Sequence, residues 1–183
     1  APACANRGAL DAAYCDADND LVADPSPAIT NPSRLMVGIS SVEDAMTARK
    51  TYVGFVEYLS GCLRREVLLH PLVGEPAVLE GLRTGQIHIG QTATGTTMYA
   101  VNFAGGVPFS AKGSSAAGKH DSYTLVLIVR ADSSYRKPTE LKGKKIAHSS
   151  QTSNSGNLAP RALFPALGLT PDKDYTVEYS GKH

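Results

Sequence analysis

With 183 residues the chain is long enough to bury a sizeable core, as one large domain or two small ones. Its 18 Lys and Arg nearly balance 17 Asp and Glu, which leaves no basic face of the kind that neutralises many phosphates and excludes a nucleic-acid partner. No apolar run approaches the roughly 20 residues of a membrane helix, so no membrane insertion is expected, and the first residues lack the charged and apolar parts of a signal peptide.

Residues 1–33 are rich in Asp, Asn, Pro and Ala, with turn signals in Asp24-Pro25-Ser26-Pro27 and Asn31-Pro32, and read as a mobile N-terminal arm. Cys4 and Cys15 flank a polar stretch, and a local disulfide suits them in an oxidising compartment, where closing so short a loop contributes about 2–3 kcal/mol. Two free thiols are the alternative. Cys4 after Ala1-Pro2-Ala3 also has the look of a lipid-anchored start, against which the proline counts. Cys62, at the end of a predicted helix, reads as a buried thiol.

The folded body starts near Arg34. Leu35 to Ile39 predicts a strand, and Tyr52, Phe55, Val56 and Leu59 mark the helix after it. Glu66 to His70 predicts a second strand, Glu75 to Thr84 a second helix ending at Gly85, and Ile87 to Gly90 a third strand. This β-α-β-α-β alternation implies a parallel sheet, because strands running the same way need a helix to carry the chain back. Thr94 then opens a helix that closes at Gly105-Gly106, and a domain change is placed near 105–110. Beyond a Gly, Ser and Ala loop over Lys112 to Lys119, Tyr123 to Val129 predicts the strongest strand in the chain. A short helical turn at Pro138 to Leu141, a strand at Lys144 to His148, a helix over Asn157 to Leu167 and a strand at Tyr175 to Tyr179 follow. Pro160 costs little only in a first turn, so that last helix is expected to start near Ser155 to Asn157.

Two segments carry the chemistry: Thr94-Gly95-Thr96-Thr97, and Thr152-Ser153-Asn154-Ser155-Gly156 after Gln151. Each sets hydroxyls and a glycine between a strand end and a helix start. First-turn amides and the positive end of the helix dipole, joined by Ser and Thr hydroxyls, suit a tetrahedral oxyanion. Plain helix capping is the competing reading of either segment alone. In an open α/β sheet, ligands sit beyond the carboxyl ends of strands, where both segments fall, and the pair is expected to face a shared cleft. Tyr99 offers a hydroxyl or a ring face, with core packing as the alternative, and His183 is either a pocket-facing imidazole or a frayed end. His70, His88, His120 and His148 lack metal-ligand spacing, so no metal is expected. Glu43-Asp44 read as a solvated helix cap. Hydrolase-elbow, P-loop and dinucleotide-turn patterns are missing from their required contexts, so neither catalysis nor a cofactor is expected.

At Val37-Gly38-Ile39, Gly85-Gln86-Ile87-His88-Ile89, Ala100-Val101-Asn102, Val107-Pro108-Phe109, Leu141 to Ala147, Ser153-Asn154-Ser155-Gly156 and Tyr179-Ser180-Gly181-Lys182-His183, the chain resembles the PhnD-like phosphate/phosphite/phosphonate substrate-binding family. Cys4 to Gly8, Tyr14-Cys15-Asp16 and Asp20 to Asp24 look like an arm found in one branch of it. The resemblance implies an α/β, periplasmic-binding-protein-like fold: two lobes with mainly parallel sheets and a ligand cleft between them. Residues 1–33 would be the arm, 34–106 the first part of lobe 1 and 107–183 most of lobe 2, with the C-terminal part lacking, since family chains continue past the equivalent of His183. It further implies a monomer secreted to the periplasm through a removed signal peptide, holding a small oxyanion ligand for an ABC transporter permease. Ser153, Asn154 and Ser155 fall where the family holds ligand oxygens, and Thr94, Thr96, Thr97 and Tyr99 match the contributing segment of the other lobe. Many relatives have Ser-Thr-Ser-Gly where this chain has Asn154 in second place. Some relatives hand an oxyanion such as arsenite to a sensor kinase; thiol ligation would need a cysteine in the cleft, and neither segment has one, so transport ranks first.

Overall fold

The computed structural model describes residues 4, 6–25, 31–40, 45–111, 113 and 123–181. The chain divides into two compact units, Ala1–Pro108 and Phe109–His183.

The first unit is built on a parallel sheet of order β2-β1-β3, with β1 at Arg34–Ser40, β2 at Glu66–Leu72 and β3 at Ile89–Gln91. Three consecutive residues of β1, Val37 to Ile39, are buried, as a central parallel strand covered on both faces requires. Helix α1 (Ala45–Leu63) returns the chain from β1 to β2 and lays Ala48, Tyr52, Val56 and Leu59 on Val37, Ile39, Val67 and Leu69. Helix α2 (Glu75–Arg83) opens with Pro76 in its first turn, where the missing donor costs nothing. The expected third strand begins two residues late, because the Ile87 amide is spent on the Gly81 carbonyl below α2. Helix α3 (Thr94–Ala104) ends on Gly105 in the left-handed conformation at φ 61°, with the Gly106 amide closing onto the Ala100 carbonyl.

The arm is pinned as expected, since Cys4 and Cys15 form a disulfide with Cα atoms 5.5 Å apart. Mobility is not what the geometry gives, however. Leu10, Ala23 and Asp16 are buried, the Asp11 amide donates to the Asn102 carbonyl, and the Tyr14 ring lies so close to Gly105 that a Cβ there would stand 2.5 Å from it. The apolar side chains scattered through the polar arm dock it on the end of α3. Cys62 is also a correction, because it is exposed. It lies one and two turns beyond Tyr58 and Phe55, both exposed, on the side of α1 away from the sheet.

In the second unit, β4 (Lys145–His148) pairs in parallel with β5 (Thr176–Tyr179). A 3₁₀ turn at Pro138–Leu141 precedes β4, its Glu140 carboxylate accepting the Arg136 and Lys137 amides, which holds that carboxyl below its ordinary value. The core gathers Leu141, Ile146, Phe164, Leu169 and Tyr175, with Leu125, Leu127, Tyr135 and Val177 against them.

The run at Tyr123 to Val129 is not a strand, although its composition is the most strand-like in the chain. Leu125 and Leu127 turn toward the core, while Val126 and Ile128 stay exposed. A run apolar on both sides reads as a fully buried strand, but here one side alone is covered and no ladder forms among the described residues.

The helix after β4 winds in three ways: a π turn at Asn154–Leu158, α4 at Ala159–Leu163 and a 3₁₀ turn at Phe164–Leu167. It begins earlier than expected, and Pro160 sits a full turn and more inside it. The π turn is how the chain accommodates that proline. A prolyl nitrogen cannot donate to the carbonyl four residues back, so the Gly156 carbonyl is released and accepts the Ser149 amide at 3.2 Å instead. One substitution-sensitive bond thereby ties the helix start to the end of β4.

Candidate functional site

Both predicted segments open helices at the carboxyl ends of strands, and their surroundings differ. At α3, Gly95 and Thr96 are buried, Thr94 is exposed, and Thr97 and Tyr99 are half-buried. The Thr96 and Thr97 amides both donate to the Ala93 carbonyl, which leaves the Thr94 and Gly95 amides as the first-turn donors outside such bonds among the described residues. Thr97 Oγ1 lies 2.9 Å from Thr92 Oγ1 and donates back to the Ala93 carbonyl. The Ala93 amide donates to Glu75 Oε2 at 3.3 Å, so a carboxylate already stands at this helix start. The Tyr99 ring stacks on the exposed Phe103 at 5.9 Å.

In the second unit, Ser153 is buried and caps the helix, its Oγ accepting the Gly156 amide at 3.1 Å. Asn154, Ser155 and Thr152 are half-buried. His183 lies outside the described residues, as do Glu43-Asp44, His120 and most of the loop from Lys112 to Lys119.

A cavity of about 220 Å³ opens at the carboxyl ends of β4 and β5. Ser149, Ser155, Gly156, Ser180 and His148 form the polar part of its lining, and Leu125, Leu127, Pro160 and Phe164 belong to the apolar part. Among the described residues no Asp, Glu, Lys or Arg lines it. A wider hollow of about 510 Å³, bounded by Arg130, Lys144 and Lys145, lies at the amino end of β4, the end at which open α/β sheets do not hold their ligands. Ser149 and Ser180 escaped the sequence reading, which looked only at helix starts. Their signal was available: each is the first residue past a predicted strand, and the two strands are parallel neighbours.

A buried network centred on Asn157 joins the polar lining at His148. Its Nδ2 donates to the Gln151 carbonyl at 2.7 Å, so its Oδ1 must be the atom 2.8 Å from His148 Nδ1. His148 therefore carries its proton on Nδ1, and its Nε2 accepts from the Tyr175 hydroxyl at 2.9 Å. Burial pushes the Tyr175 phenol above its ordinary pKa, which keeps it a donor. Arg161 Nε and the Tyr179 hydroxyl also donate to Asn157 Oδ1, and bonds to Tyr179 and Asp172 raise the guanidinium pKa further. His148 is thus a buried histidine with both ring nitrogens bonded. His88 is exposed and accepts the Met36 amide.

On the arm, Asp16, Asp18 and Asp20 bring carboxylate oxygens within 4.8 Å of one another. Asp16 accepts the Asp20 and Leu21 amides, and Asp20 accepts that of Val22, so the cluster is knit into its own turn.

Residues 37–183 match the family model described as the periplasmic substrate-binding protein of phosphonate ABC transporters. Among solved structures, the chain is similar to a binding protein component of an ABC phosphonate transporter from Pseudomonas aeruginosa, at 19% identity and a TM-score of 0.62, over 80% of this chain and 50% of that one. It is similar to PhnD1 of Prochlorococcus marinus in complex with methylphosphonate, at 18% identity and a TM-score of 0.55, over 84% of this chain and 58% of that one. The periplasmic aliphatic sulphonate binding protein of Escherichia coli follows at 23% identity and a TM-score of 0.53, over 81% of this chain and 45% of that one. The chain thus spans about half the length of these structures, and at such identities the likeness is one of fold.

Proposed function

As a member of the periplasmic substrate-binding family of phosphonate ABC transporters, to which its match over residues 37–183 assigns it, this chain takes part, we propose, in capturing a small phosphorus oxyanion for delivery to a membrane permease. The observation that carries the reading is the hydroxyl-lined cavity at the carboxyl ends of β4 and β5, which no Asp, Glu, Lys or Arg lines among the described residues. Hydroxyls donate to an anionic oxygen and accept from a protonated one, so the cavity serves a singly or doubly charged ligand without a fixed counter-charge. Release then needs no ion pair to break. Ser155 and Gly156 are the contacts proposed with most support. Thr152, Ser153, Asn154, His183 and the α3 residues Thr94, Gly95, Thr96, Thr97 and Tyr99 are proposed as further contributors. Supply of a ligand to a permease requires no bond to be made or broken, and this reading gives the chain no catalytic step.

Calorimetric titration of the full-length protein with methylphosphonate, phosphite, hypophosphite and phosphate tests the reading. At least one is expected to bind, and Ser155→Ala is expected to weaken that binding by about 1–3 kcal/mol through loss of a charge-assisted hydrogen bond. Failure of all four to bind would end the proposal.

A further inference from the structure

Ser149 is 8% exposed, and among the described residues its Oγ has no hydrogen-bond partner. Burying a hydroxyl strips its water, and without a partner nothing is returned, so native structures keep few such groups. Ser149 is one of the residues that line the cavity at the carboxyl ends of β4 and β5. Its backbone is fixed on both sides, the Ser149 amide donating to the Gly156 carbonyl and the Ser149 carbonyl accepting the Gly181 amide at 2.7 Å. The space beside it is kept by Gly156, where any Cβ would run into the Ser149 hydroxyl and stand 2.6 Å from the Ser149 Cβ.

We infer that Ser149 is a ligand-contacting, specificity-determining residue, whose hydroxyl bonds an oxygen of the captured anion while the apolar part of the lining takes a corner of the same molecule that carries no oxygen. The inference rests on the reading given under Proposed function. Its chemistry follows from the two parts of the lining. Leu125, Leu127, Pro160 and Phe164 have no side-chain group to offer an oxygen, so a ligand with oxygens at all four corners would leave one of them desolvated and unbonded. A ligand with a short saturated substituent pays no such cost. The volume, about 220 Å³, equals roughly seven water volumes, which admits a methyl or ethyl group beside the anion.

The test is calorimetric titration of the full-length chain and of Ser149→Ala with methylphosphonate and with inorganic phosphate, together with thermal melting of both proteins without ligand. Wild type is expected to prefer methylphosphonate at least tenfold. Ser149→Ala is expected to bind it about five- to fiftyfold more weakly while melting no lower than wild type, because the lost hydroxyl had no partner among the described residues. Ser149→Gly provides a second variant should alanine fold poorly, with the same expectation for affinity. Wild-type affinity in both variants overturns the inference, and so does a drop in melting temperature that accounts for the lost binding. Equal affinity of wild type for the two ligands overturns the apolar-corner argument. If wild type binds neither, the inference falls, and the broader reading falls with it only when phosphite and hypophosphite also fail to bind; if it binds and the variants match it, Ser149 alone is removed.

Discussion

At the start of α3 a carboxylate stands where an anion would: Glu75 accepts the Ala93 amide, and the Thr97 hydroxyl turns back to the Ala93 carbonyl. At the start of the 154–167 helical run, Ser153 caps Gly156, and beyond the cap lies a cavity that no Asp, Glu, Lys or Arg lines among the described residues. The two segments are spelled alike in hydroxyls and glycine. What separates them is supplied from elsewhere in the sequence: Glu75, eighteen residues before Ala93, on one side, and Pro160 and the serines after two strands on the other. Hydroxyls with a glycine therefore mark a helix start, and the neighbours decide whether that start is closed by the protein or open to a ligand.

The largest expected effect comes from closing the open one. In Gly156→Ala the new methyl meets Ser149 Oγ and also comes within 2.9 Å of Ser153 Oγ, and the backbone cannot yield without losing the bond between the Ser149 amide and the Gly156 carbonyl. Overpacking of this kind costs about 3 kcal/mol, and ligand binding should vanish with it. Urea unfolding of Gly156→Ala beside the Ser149→Ala/Gly156→Ala double variant separates the causes. Recovery of stability in the double variant shows that the hydroxyl was the obstacle; no recovery would place the strain in the contacts that remain, with Ser149 Cβ and Ser153 Oγ.

A smaller effect is expected one layer back. Asn157→Ala removes the acceptor of His148 Nδ1, Arg161 Nε and the Tyr179 hydroxyl at once. The imidazole donor is buried and has no substitute, so about 2 kcal/mol of stability should go, read as a shift in the urea midpoint at unchanged slope. Because Asn157 also holds the Gln151 carbonyl, the segment before Ser153 should loosen, and affinity should fall with stability. Stability lost with affinity intact would detach the network from the site.

Much of this was legible in the sequence for reasons that are local. The parallel β1, β2 and β3 follow from apolar runs separated by helices, and the Pro138 turn from proline in a first turn. Other features were not legible from composition and turn signals alone. Tyr123 to Val129 has strand composition, yet composition reports only what could be buried, and here one side is. Cys62 has the hydrophobicity of a core residue, yet the phase of α1, set by Tyr52, Val56 and Leu59, turns it to solvent. Pro160 was read as fixing where its helix begins; a π turn absorbed it instead, because Ser149 was at hand to satisfy the released carbonyl. Ser149 itself carries no motif at all, and its position past a strand end gains meaning only beside Ser180 and Gly156.

The smallest effect bears on whether the closed start is closed for good. Glu75→Gln keeps a side-chain acceptor for the Ala93 amide and removes only the charge that sits in the first turn of α2 and beside the start of α3. Loss of a favourable charge at a helix start costs about 0.5–1 kcal/mol, less at high salt. For the ligand the sign is opposite. A carboxylate at the α3 start repels an oxyanion, so its removal should tighten binding about two- to fivefold at low ionic strength if Thr94 and Gly95 donate to that anion, with the gain fading at high salt. Unchanged affinity at low salt would assign the α3 segment to capping alone and leave the hydroxyl-lined cavity of the second unit as the part that holds the ligand.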